Sequence, residues 1–312
     1  MKIVILDALT FGDTDLSSFY AFGEVEVFAT TSKEETQERI TNAAVIVTNK
    51  VVITDAHMAN SAKLKLICVA ATGMNNVDLQ AAKQRGIEVK NVSGYSTDSV
   101  IQHTFSMLFY LIGHSKYYDE YVKEGYYSKS QIFTDITKPF FEVKDKKWGI
   151  IGLGTIGSKV AAVAQAFGAE VCYFSTSGKN DSKNYLRLEL NELLKQCDII
   201  SIHAPLNEKT LNLLGYEQLL MCKERAVILN LGRGGIIDEE AVARIIDEKN
   251  IYFGLDVLSI EPIKQNHPLL NVKNRDNLYI TPHIAWASVE ARQKLIDGVV
   301  HNIKSFLEQN HS

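Results

Sequence analysis

The sequence predicts an α/β protein built from two doubly wound, parallel-sheet domains. Short apolar runs alternate with amphipathic segments through both halves of the chain, a pattern typical of parallel strands joined by crossover helices. A G-x-G-x-x-G segment that begins at Gly152 follows an apolar run, which is the strand–turn–helix context of a dinucleotide-binding sheet. The length of 312 residues is enough for about two such domains.

In the first hundred residues, short apolar runs predict the strands Lys2–Leu6, Val25–Phe28, Ala44–Thr48, Leu64–Ala70 and Ile87–Val89. Amphipathic segments between these strands predict the helices Lys33–Ile40 and Leu79–Arg85. No glycine-rich turn follows the first strand, so we expect this domain not to bind the dinucleotide.

The middle of the chain begins with a long predicted helix, Ser99–Glu124, that could bridge the two domains. An aromatic stretch from Tyr117 to Phe141 overlaps its end, and it favours an ordered surface or a dimer arm over a ligand contact.

The second half repeats the alternation of apolar and amphipathic segments. Its predicted strands are Trp148–Ile151, Glu170–Phe174, Ile199–His203, Ala226–Leu231, Phe253–Val257 and Leu278–Ile280. Its predicted helices are Ile156–Phe167, Glu189–Gln196, Tyr216–Cys222 and Glu239–Glu248. A last helix is predicted from after Ala285 to about Gln309, and it could return to pack on the first domain.

Composition excludes several classes of function. Hydrophobic residues make up 46% of the chain, charged residues 22%, and the net charge is −4, which favours neither nucleic acid nor an anionic membrane as a partner. The first apolar run is too short for a signal peptide, and no run approaches a membrane span. The four cysteines lack C-x-x-C spacing, so we predict buried free thiols, no metal site and a cytoplasmic location.

The glycine segment predicts the cofactor site. Gly152 would permit the tight turn, Gly154 the approach of the pyrophosphate and Gly157 close packing of helix on strand. Thr155 and Ile156 would open the helix whose amides face the phosphates. A phosphate loop of the NTPase kind is disfavoured, since the serine and lysine after Gly157 stand in the wrong order.

The end of the second strand bears on the choice between NAD and NADP. Sheets that prefer NAD carry an acidic residue there, whereas this chain has Ser175, followed by Thr176 and Lys179. Hydroxyls and a lysine could bind a 2′-phosphate, although the arginine that often grips it is missing from this loop. The cofactor is therefore predicted as NAD or NADP with a slight lean to NADP; dual use, or NAD held by one contact fewer, stays open.

Four segments resemble those of the D-isomer-specific 2-hydroxyacid dehydrogenase family. They are HAPLNEKT from His203 to Thr210, NLGRGGIIDE from Asn230 to Glu239, DVLSIEP from Asp256 to Pro262 and TPHIA from Thr281 to Ala285. Within the family, the segments ATGMNNVD from Ala71 to Asp78 and GYST from Gly94 to Thr97, and the Trp286 after TPHIA, look most like glycerate dehydrogenases, or hydroxypyruvate reductases.

The resemblance implies a split architecture. A Rossmann cofactor domain, residues 99–285, would be inserted into a flavodoxin-like substrate domain, residues 1–98 and 286–312, with the active site in the cleft. Members of the family are usually homodimers through the cofactor domain.

The chemistry of 2-oxo acid reduction suits three residues of these segments. The guanidinium of Arg233 would fork onto the substrate carboxylate or carbonyl. His283 would donate the proton, because histidine titrates near neutral pH. Glu261 would bond the far nitrogen of that imidazole and favour its protonated form. Arg233 and His283 are also predicted to bind substrate.

Further site residues are expected mainly at strand ends. The cofactor contacts implied by the resemblance are His203, Ala204, Pro205, Thr210, Leu231, Gly232 and Asp256. The predicted substrate contacts of the first domain are Lys50, Thr72, Gly73 and Met74. His103 could approach the site, whereas surface positions are expected for His57, His114, His267, His301 and His311.

The family therefore implies an enzyme that reduces a small 2-oxo acid, hydroxypyruvate or glyoxylate first, to the D-2-hydroxy acid. One alternative is a dehydrogenase of D-lactate or a bulkier 2-oxo acid. A more remote one is a non-enzymatic scaffold that senses dinucleotides.

Overall fold

A computed structural model describes residues 1–310 of the chain. The fold divides into two compact units: unit 1 combines Met1–Ser96 with the C-terminal segment from Trp286, and unit 2 is Thr97–Ala285. The predicted first boundary, at residue 98, lies two residues beyond the observed one.

Unit 1 contains a five-stranded, wholly parallel sheet in the order β2-β1-β3-β4-β5, the strand order of flavodoxin-like folds. Its strands are β1 (Lys2–Ile5), β2 (Glu24–Val27), β3 (Val45–Thr48), β4 (Leu66–Val69) and β5 (Glu88–Asn91). Its helices are α1 (Thr36–Ile40), α2 (Asp55–Ala59), α3 (Leu79–Gln84) and a C-terminal helix, Val289–Asn310.

Both faces of the unit 1 sheet are buried, because alternate residues of each apolar strand point to opposite sides. On one face, Leu295 and Val299 of the C-terminal helix pack with Ile3 of β1 and its neighbours. On the other face, Ile40 of α1 and Met58 of α2 complete the core.

Unit 2 contains a seven-stranded parallel sheet in the order β12-β11-β10-β9-β6-β7-β8. The strands are β6 (Lys147–Ile151), β7 (Glu170–Phe174), β8 (Leu186–Arg187), β9 (Ile199–Ile202), β10 (Val227–Asn230), β11 (Tyr252–Leu255) and β12 (Leu278–Ile280). The chain runs outward from β6 in one direction and then in the other, so the switch point of a Rossmann sheet lies between β6 and β9. The predicted α/β fold class is confirmed.

The helices of unit 2 cover both faces of this sheet. They are α4 (Thr97–Ile112), α5 (Ser115–Lys123), α6 (Thr155–Ala166), α7 (Leu190–Gln196), α8 (Tyr216–Met221) and α9 (Glu239–Glu248). Met107 and Leu111 of α4 pack with Trp148 and Leu229 on one face. The C-terminal helix of unit 1, Val289–Asn310, follows α9 in the chain and is labelled α10. No helix within residues 1–310 is both long and apolar enough to cross a lipid bilayer.

The single long helix predicted over Ser99–Glu124 is wrong. The structure divides this segment into α4 and α5 at Gly113 and His114, and His114 adopts a left-handed backbone with φ of 48°. Glycine disfavours the helix interior, and a left-handed residue ends the helical hydrogen bonding. The helix α2 and the strand β8 were not predicted, because each is too short to show a periodic pattern.

Candidate active site

The predicted residues of unit 2 gather at one edge of its sheet. All its strands are parallel, so the loops after their carboxyl ends lie on the same side, where open α/β sheets bind ligands. The loop after β6 carries the three glycines, the loop after β7 carries Ser175, and those after β9 to β12 carry the remaining predicted residues.

The glycine loop forms a cradle that side chains would fill. Gly152 has φ of +92°, and a Cβ there would lie 2.9 Å from the Cα of Ala204. A Cβ on Gly157 would lie 2.3 Å from the carbonyl oxygen of Gly152, whereas a Cβ on Gly154 would have no atom of residues 1–310 within 4 Å apart from its chain neighbours. The backbone is therefore enclosed at Gly152 and Gly157 and open at Gly154, which fits a pyrophosphate approaching the backbone there.

The start of α6 supplies donors to this cradle. Its first backbone hydrogen bond runs from Ser158 N to the carbonyl oxygen of Gly154 at 2.9 Å. The amides of Thr155, Ile156 and Gly157 precede that bond, and the first turn of a helix leaves such groups to a ligand. These residues fit a dinucleotide.

The loop after β9 packs directly against the glycine loop, and the loop after β10 packs against the loop after β9. A Cβ on Gly232 would lie 2.8 Å from the carbonyl oxygen of Ala204, so both glycines close around one alanine. The hydroxyl of Thr210 donates to the carbonyl oxygen of Pro205 at 2.7 Å and accepts from Asn207 N at 2.8 Å. Leu231, in the loop after β10, is buried. The structure thus brings together the predicted cofactor contacts of these loops.

The loop after β7 carries hydroxyls and cations. Ser175 is buried, and its Oγ accepts from Asn180 N at 3.3 Å, while Lys179 is exposed. An arginine reaches this loop from the neighbouring strand β8: Arg187 Nη1 donates to the carbonyl oxygen of Gly178 at 3.2 Å. The loop itself carries no arginine, as predicted, but an arginine of the neighbouring strand contacts it across the sheet edge.

The centre of the site is a pair formed by His283 and Glu261. His283 Nδ1 lies 2.7 Å from Glu261 Oε2, and the side chains are 25% and 34% exposed. Glu261 Oε1 also accepts from Leu258 N at 2.9 Å, which orients the carboxylate. Because the carboxylate is an acceptor, Nδ1 carries a proton towards it, and Nε2 is the nitrogen available for proton transfer.

The loop that carries His283 is held by Asp256. His283 has a left-handed φ of 55°, which non-glycine residues adopt only where surrounding contacts impose it. Its amide donates to the carbonyl oxygens of Asp256 and Thr281, both at 2.9 Å. The buried Asp256 carboxylate accepts from the Thr281 hydroxyl at 2.6 Å, from Ile284 N at 2.8 Å and from Ala285 N at 3.0 Å. These bonds make Asp256 a positioning residue for His283, and its predicted cofactor contact stays a prediction.

His103 of α4 reaches the same network, as the sequence suggested it could. Its Nε2 lies 3.0 Å from the Thr281 hydroxyl and 3.6 Å from the Asp256 carboxylate. Burial lowers the pKa of His103, and the nearby charge of Asp256 opposes that shift.

A second pair, Glu239 and His267, was missed by the sequence analysis. Glu239 Oε1 accepts from Ser259 N at 2.6 Å and from its hydroxyl at 2.7 Å, and Oε2 lies 2.9 Å from His267 Nε2. The predicted surface position of His267 is wrong, because its side chain is only 16% exposed. This pair anchors the segment that leads to Glu261. His311 lies outside the described residues.

Arg233 lies in the tight loop after β10. Its exposed guanidinium donates to the carbonyl oxygen of Gly232 at 2.8 Å, and within residues 1–310 it has no other hydrogen bond or ion pair. Asn230 Nδ2 holds the Arg233 carbonyl at 2.9 Å. A Cβ on Gly234 would lie 2.0 Å from the backbone of Leu258, so this glycine lets the loops of Arg233 and Glu261 meet.

In unit 1, the predicted substrate residues also follow strand ends. Lys50 comes after β3, where the buried Asp7 carboxylate accepts from Asn49 N at 2.9 Å and Lys50 N at 2.6 Å. Burial raises the pKa of Asp7, and these backbone bonds oppose the shift. The segment of Thr72, Gly73 and Met74 comes after β4. The roles of these residues in binding stay predictions.

His203 lies at the end of β9 with its ring turned into the protein. Its Nε2 lies 3.1 Å from the hydroxyl of Ser201, which accepts from Trp148 Nε1 at 2.9 Å. The buried Nδ1 has no hydrogen-bond partner among residues 1–310. Burial lowers the pKa of His203 from 6.5 to about 3. The ring therefore stays neutral in the folded protein at neutral pH.

This burial predicts a component of acid sensitivity. Between pH 6.5 and about 3 the unfolded chain binds a proton at His203 that the folded protein does not, so the free energy of unfolding falls as pH falls. Its slope is at most about 1.4 kcal/mol per pH unit. We expect the stability difference between wild type and His203→Gln, measured by urea unfolding, to shrink from about pH 7.5 to about pH 5. A difference that is constant with pH would contradict this.

The strand order and the glycine cradle define a dinucleotide-binding domain. Together with the paired histidine and carboxylate at the same edge of the sheet, they indicate an oxidoreductase. Comparison with known families agrees: residues 105–285 match the model of the D-isomer specific 2-hydroxyacid dehydrogenase, NAD binding domain. The chain belongs to this family and is a nicotinamide-dependent oxidoreductase. The predicted family resemblance is confirmed.

Similar proteins cover nearly the whole chain. It is 36% identical to a hydroxypyruvate reductase of Blautia hydrogenotrophica, over 99% of this chain and 97% of the relative. It is 34% identical to a glycerate dehydrogenase of Methylorubrum extorquens, over 98% and 96%. Among solved structures, an acyclic imino acid reductase in complex with NADPH and D-Arg matches with a TM-score of 0.85 and 31% identity, over 99% and 98% of the chains.

Proposed function

We propose that the protein reduces a small 2-oxo acid, hydroxypyruvate or glyoxylate first, to the D-2-hydroxy acid. The observation that carries this proposal is the His283–Glu261 pair at the carboxyl edge of the Rossmann sheet, 2.7 Å apart. The names of the relatives similar to this chain, hydroxypyruvate reductase and glycerate dehydrogenase, support this class of substrate.

In this mechanism the chain's own groups orient the substrate and deliver a proton. The free donors of Arg233 hold the carboxylate or polarise the carbonyl oxygen of the 2-oxo acid. His283 Nε2 gives its proton to that oxygen as it becomes a hydroxyl, while Glu261 at Nδ1 stabilises the charged ring. The bound nicotinamide supplies the hydride. Asp256 keeps the ring in place through the loop that it anchors.

The cofactor is proposed to be NADP in preference to NAD. No acidic side chain ends β7, where an NAD-preferring sheet would hold the ribose hydroxyls, and Ser175 stands there instead. The hydroxyl of Thr176 and the amine of Lys179 follow in the same loop.

A homodimer is also proposed, with the aromatic segment from Tyr117 to Phe141 as a contributor. Several of its large apolar side chains are exposed, Phe133 at 88% and Ile136 at 75%. Exposed apolar patches of this kind are typical of protein interfaces. The four buried, free cysteines fit a cytoplasmic location, where thiols stay reduced.

Initial rates of NADH and NADPH oxidation test the proposed function. We expect fastest turnover with hydroxypyruvate or glyoxylate, and slower turnover with pyruvate and phenylpyruvate. Preference for pyruvate or phenylpyruvate would instead indicate a dehydrogenase of D-lactate or a bulkier acid. Cofactor binding without turnover of any of these acids would contradict the proposal and favour a dinucleotide-sensing scaffold.

A further inference from the structure

We propose that Arg187 of β8 is the residue that recognises the 2′-phosphate of NADP in this chain. The proposal rests on the proposed cofactor preference and names the side chain that would carry it. Arg187 lies 12 positions beyond Ser175 in sequence, outside the loop in which such a residue is normally sought. The pairing of β7 with β8 brings it back to that loop.

The register of the two strands sets this position. Cys172 pairs with Leu186 and Tyr173 with Arg187, so Arg187 lies beside the C-terminal end of β7. Its guanidinium extends to the following loop, where Nη1 donates to the carbonyl oxygen of Gly178 at 3.2 Å. This bond draws the arginine to the segment that follows Ser175.

The remaining donors of Arg187 are available to a ligand. Within residues 1–310 its guanidinium has no other hydrogen bond and no ion pair. A guanidinium carries five N–H groups in a planar fork, so most of them stay free for phosphate oxygens. Lys179 is likewise exposed without an ion pair among the described residues.

The loop itself is built to hold this geometry. Ser175 is buried, with its Oγ bonded to Asn180 N, and Asn180 Nδ2 donates to the carbonyl oxygen of Leu153 beside the glycine cradle. Tyr173 donates its hydroxyl to the carbonyl oxygen of Asn180 at 3.2 Å. The loop is thus tied at its far end to the strand and to the phosphate-binding turn.

The charge of the segment favours a phosphate. The cations assigned to the phosphate are Lys179 of this loop and Arg187 of β8, and residues 175–187 contain a single acid, Asp181. A phosphate monoester near neutral pH carries about −1.5 to −2 charges, and arginine binds it with paired, charge-assisted hydrogen bonds. Because a ribose hydroxyl carries no charge, Arg187 would distinguish NADP from NAD.

Binding of cofactor fragments tests this assignment apart from turnover. Titration calorimetry would compare adenosine 2′,5′-bisphosphate with adenosine 5′-monophosphate, which differ by the 2′-phosphate alone. We expect Arg187→Gln to weaken binding of the bisphosphate by about tenfold or more and to change binding of the monophosphate by less than about twofold. Arg187→Lys should fall between, because it keeps the charge and loses the fork.

Lys183→Gln is the matched control: this exposed lysine lies in the same segment, and its side chain makes no hydrogen bond or ion pair among the described residues. It should leave both affinities within about twofold of wild type. Equal weakening of both ligands in Arg187→Gln, or unchanged bisphosphate binding, would overturn the assignment. So would a wild type that binds the two ligands equally well. A protein that binds the bisphosphate through Arg187 but reduces no 2-oxo acid would refute the proposed function and leave this inference standing.

Discussion

Replacement of His283 by alanine is expected to lower kcat by about 10²- to 10⁴-fold, the range in which general acid catalysis contributes to turnover. The expected cause is loss of the proton donor, since Nδ1 is engaged with Glu261 at 2.7 Å and Nε2 is the nitrogen left for the substrate oxygen. The change should leave the glycine cradle intact, because the atoms that enclose Gly152 and Gly157 belong to Ala204, to Ile150 and to the cradle's own backbone. The dissociation constant of NADPH should therefore stay within about twofold of wild type.

Stopped-flow and steady-state rates, with cofactor binding followed by nicotinamide fluorescence, separate these effects. His301→Ala is the control, since this exposed histidine of α10 lies in unit 1 and is bonded weakly to Ser305 at 3.4 Å. Normal turnover in His283→Ala would refute the assignment of this residue as proton donor. A parallel loss of cofactor binding would instead indicate that the loop after β12 had moved.

The strand alternation and the glycine loop could be predicted because they depend on local sequence. Central strands such as β3 and β10 are largely apolar runs, and Gly152 and Gly157 of the cradle stand where a close neighbour excludes a side chain. The family segments placed Arg233, Glu261 and His283 on successive strand ends. The order of the parallel strands then brings those ends to one edge of the sheet.

The contacts that support these residues could not be predicted in the same way. Glu239 and His267 are 28 positions apart, and only the fold shows that they share a hydrogen bond behind Glu261. Asp256 likewise has partners that are distant in sequence. A contact with the cofactor was predicted for it, and the structure shows in addition that its carboxylate accepts from the amides of Ile284 and Ala285. A side chain's partner depends on packing across elements, which a linear pattern does not contain.

Two errors in the predicted secondary structure, the unbroken helix and the missing strand β8, each arise from one short segment. The break between α4 and α5 depends on His114 in a left-handed conformation, which few sequence patterns indicate for a non-glycine residue. The strand β8 has only two residues, so no alternation of apolar and polar residues can identify it. Because β8 was not predicted, the contact of Arg187 with the loop after Ser175 could not be predicted either.

Replacement of Arg233 is expected to have the second large effect, and this effect should differ in kind from that of His283. An arginine that binds the substrate carboxylate in both the ground state and the transition state contributes to KM, whereas one that polarises the carbonyl as it gains charge contributes to kcat. Hydrogen bonds to charged groups contribute about 1.5–3 kcal/mol each, so the loss of a pair of such bonds in Arg233→Gln should lower kcat/KM by about 10²- to 10⁴-fold.

The conservative variant Arg233→Lys distinguishes the guanidinium fork from charge alone. Lysine keeps the positive charge and loses the paired donors, so we expect it to recover only part of the loss, mainly in KM. Arg244→Gln serves as the control, because that exposed arginine of α9 pairs with Glu248 at 2.8 Å. Full activity in Arg233→Lys would show that charge suffices, and full activity in Arg233→Gln would remove this residue from the site. A defect confined to kcat would place the guanidinium at the reacting carbonyl, and a defect confined to KM would place it at the carboxylate.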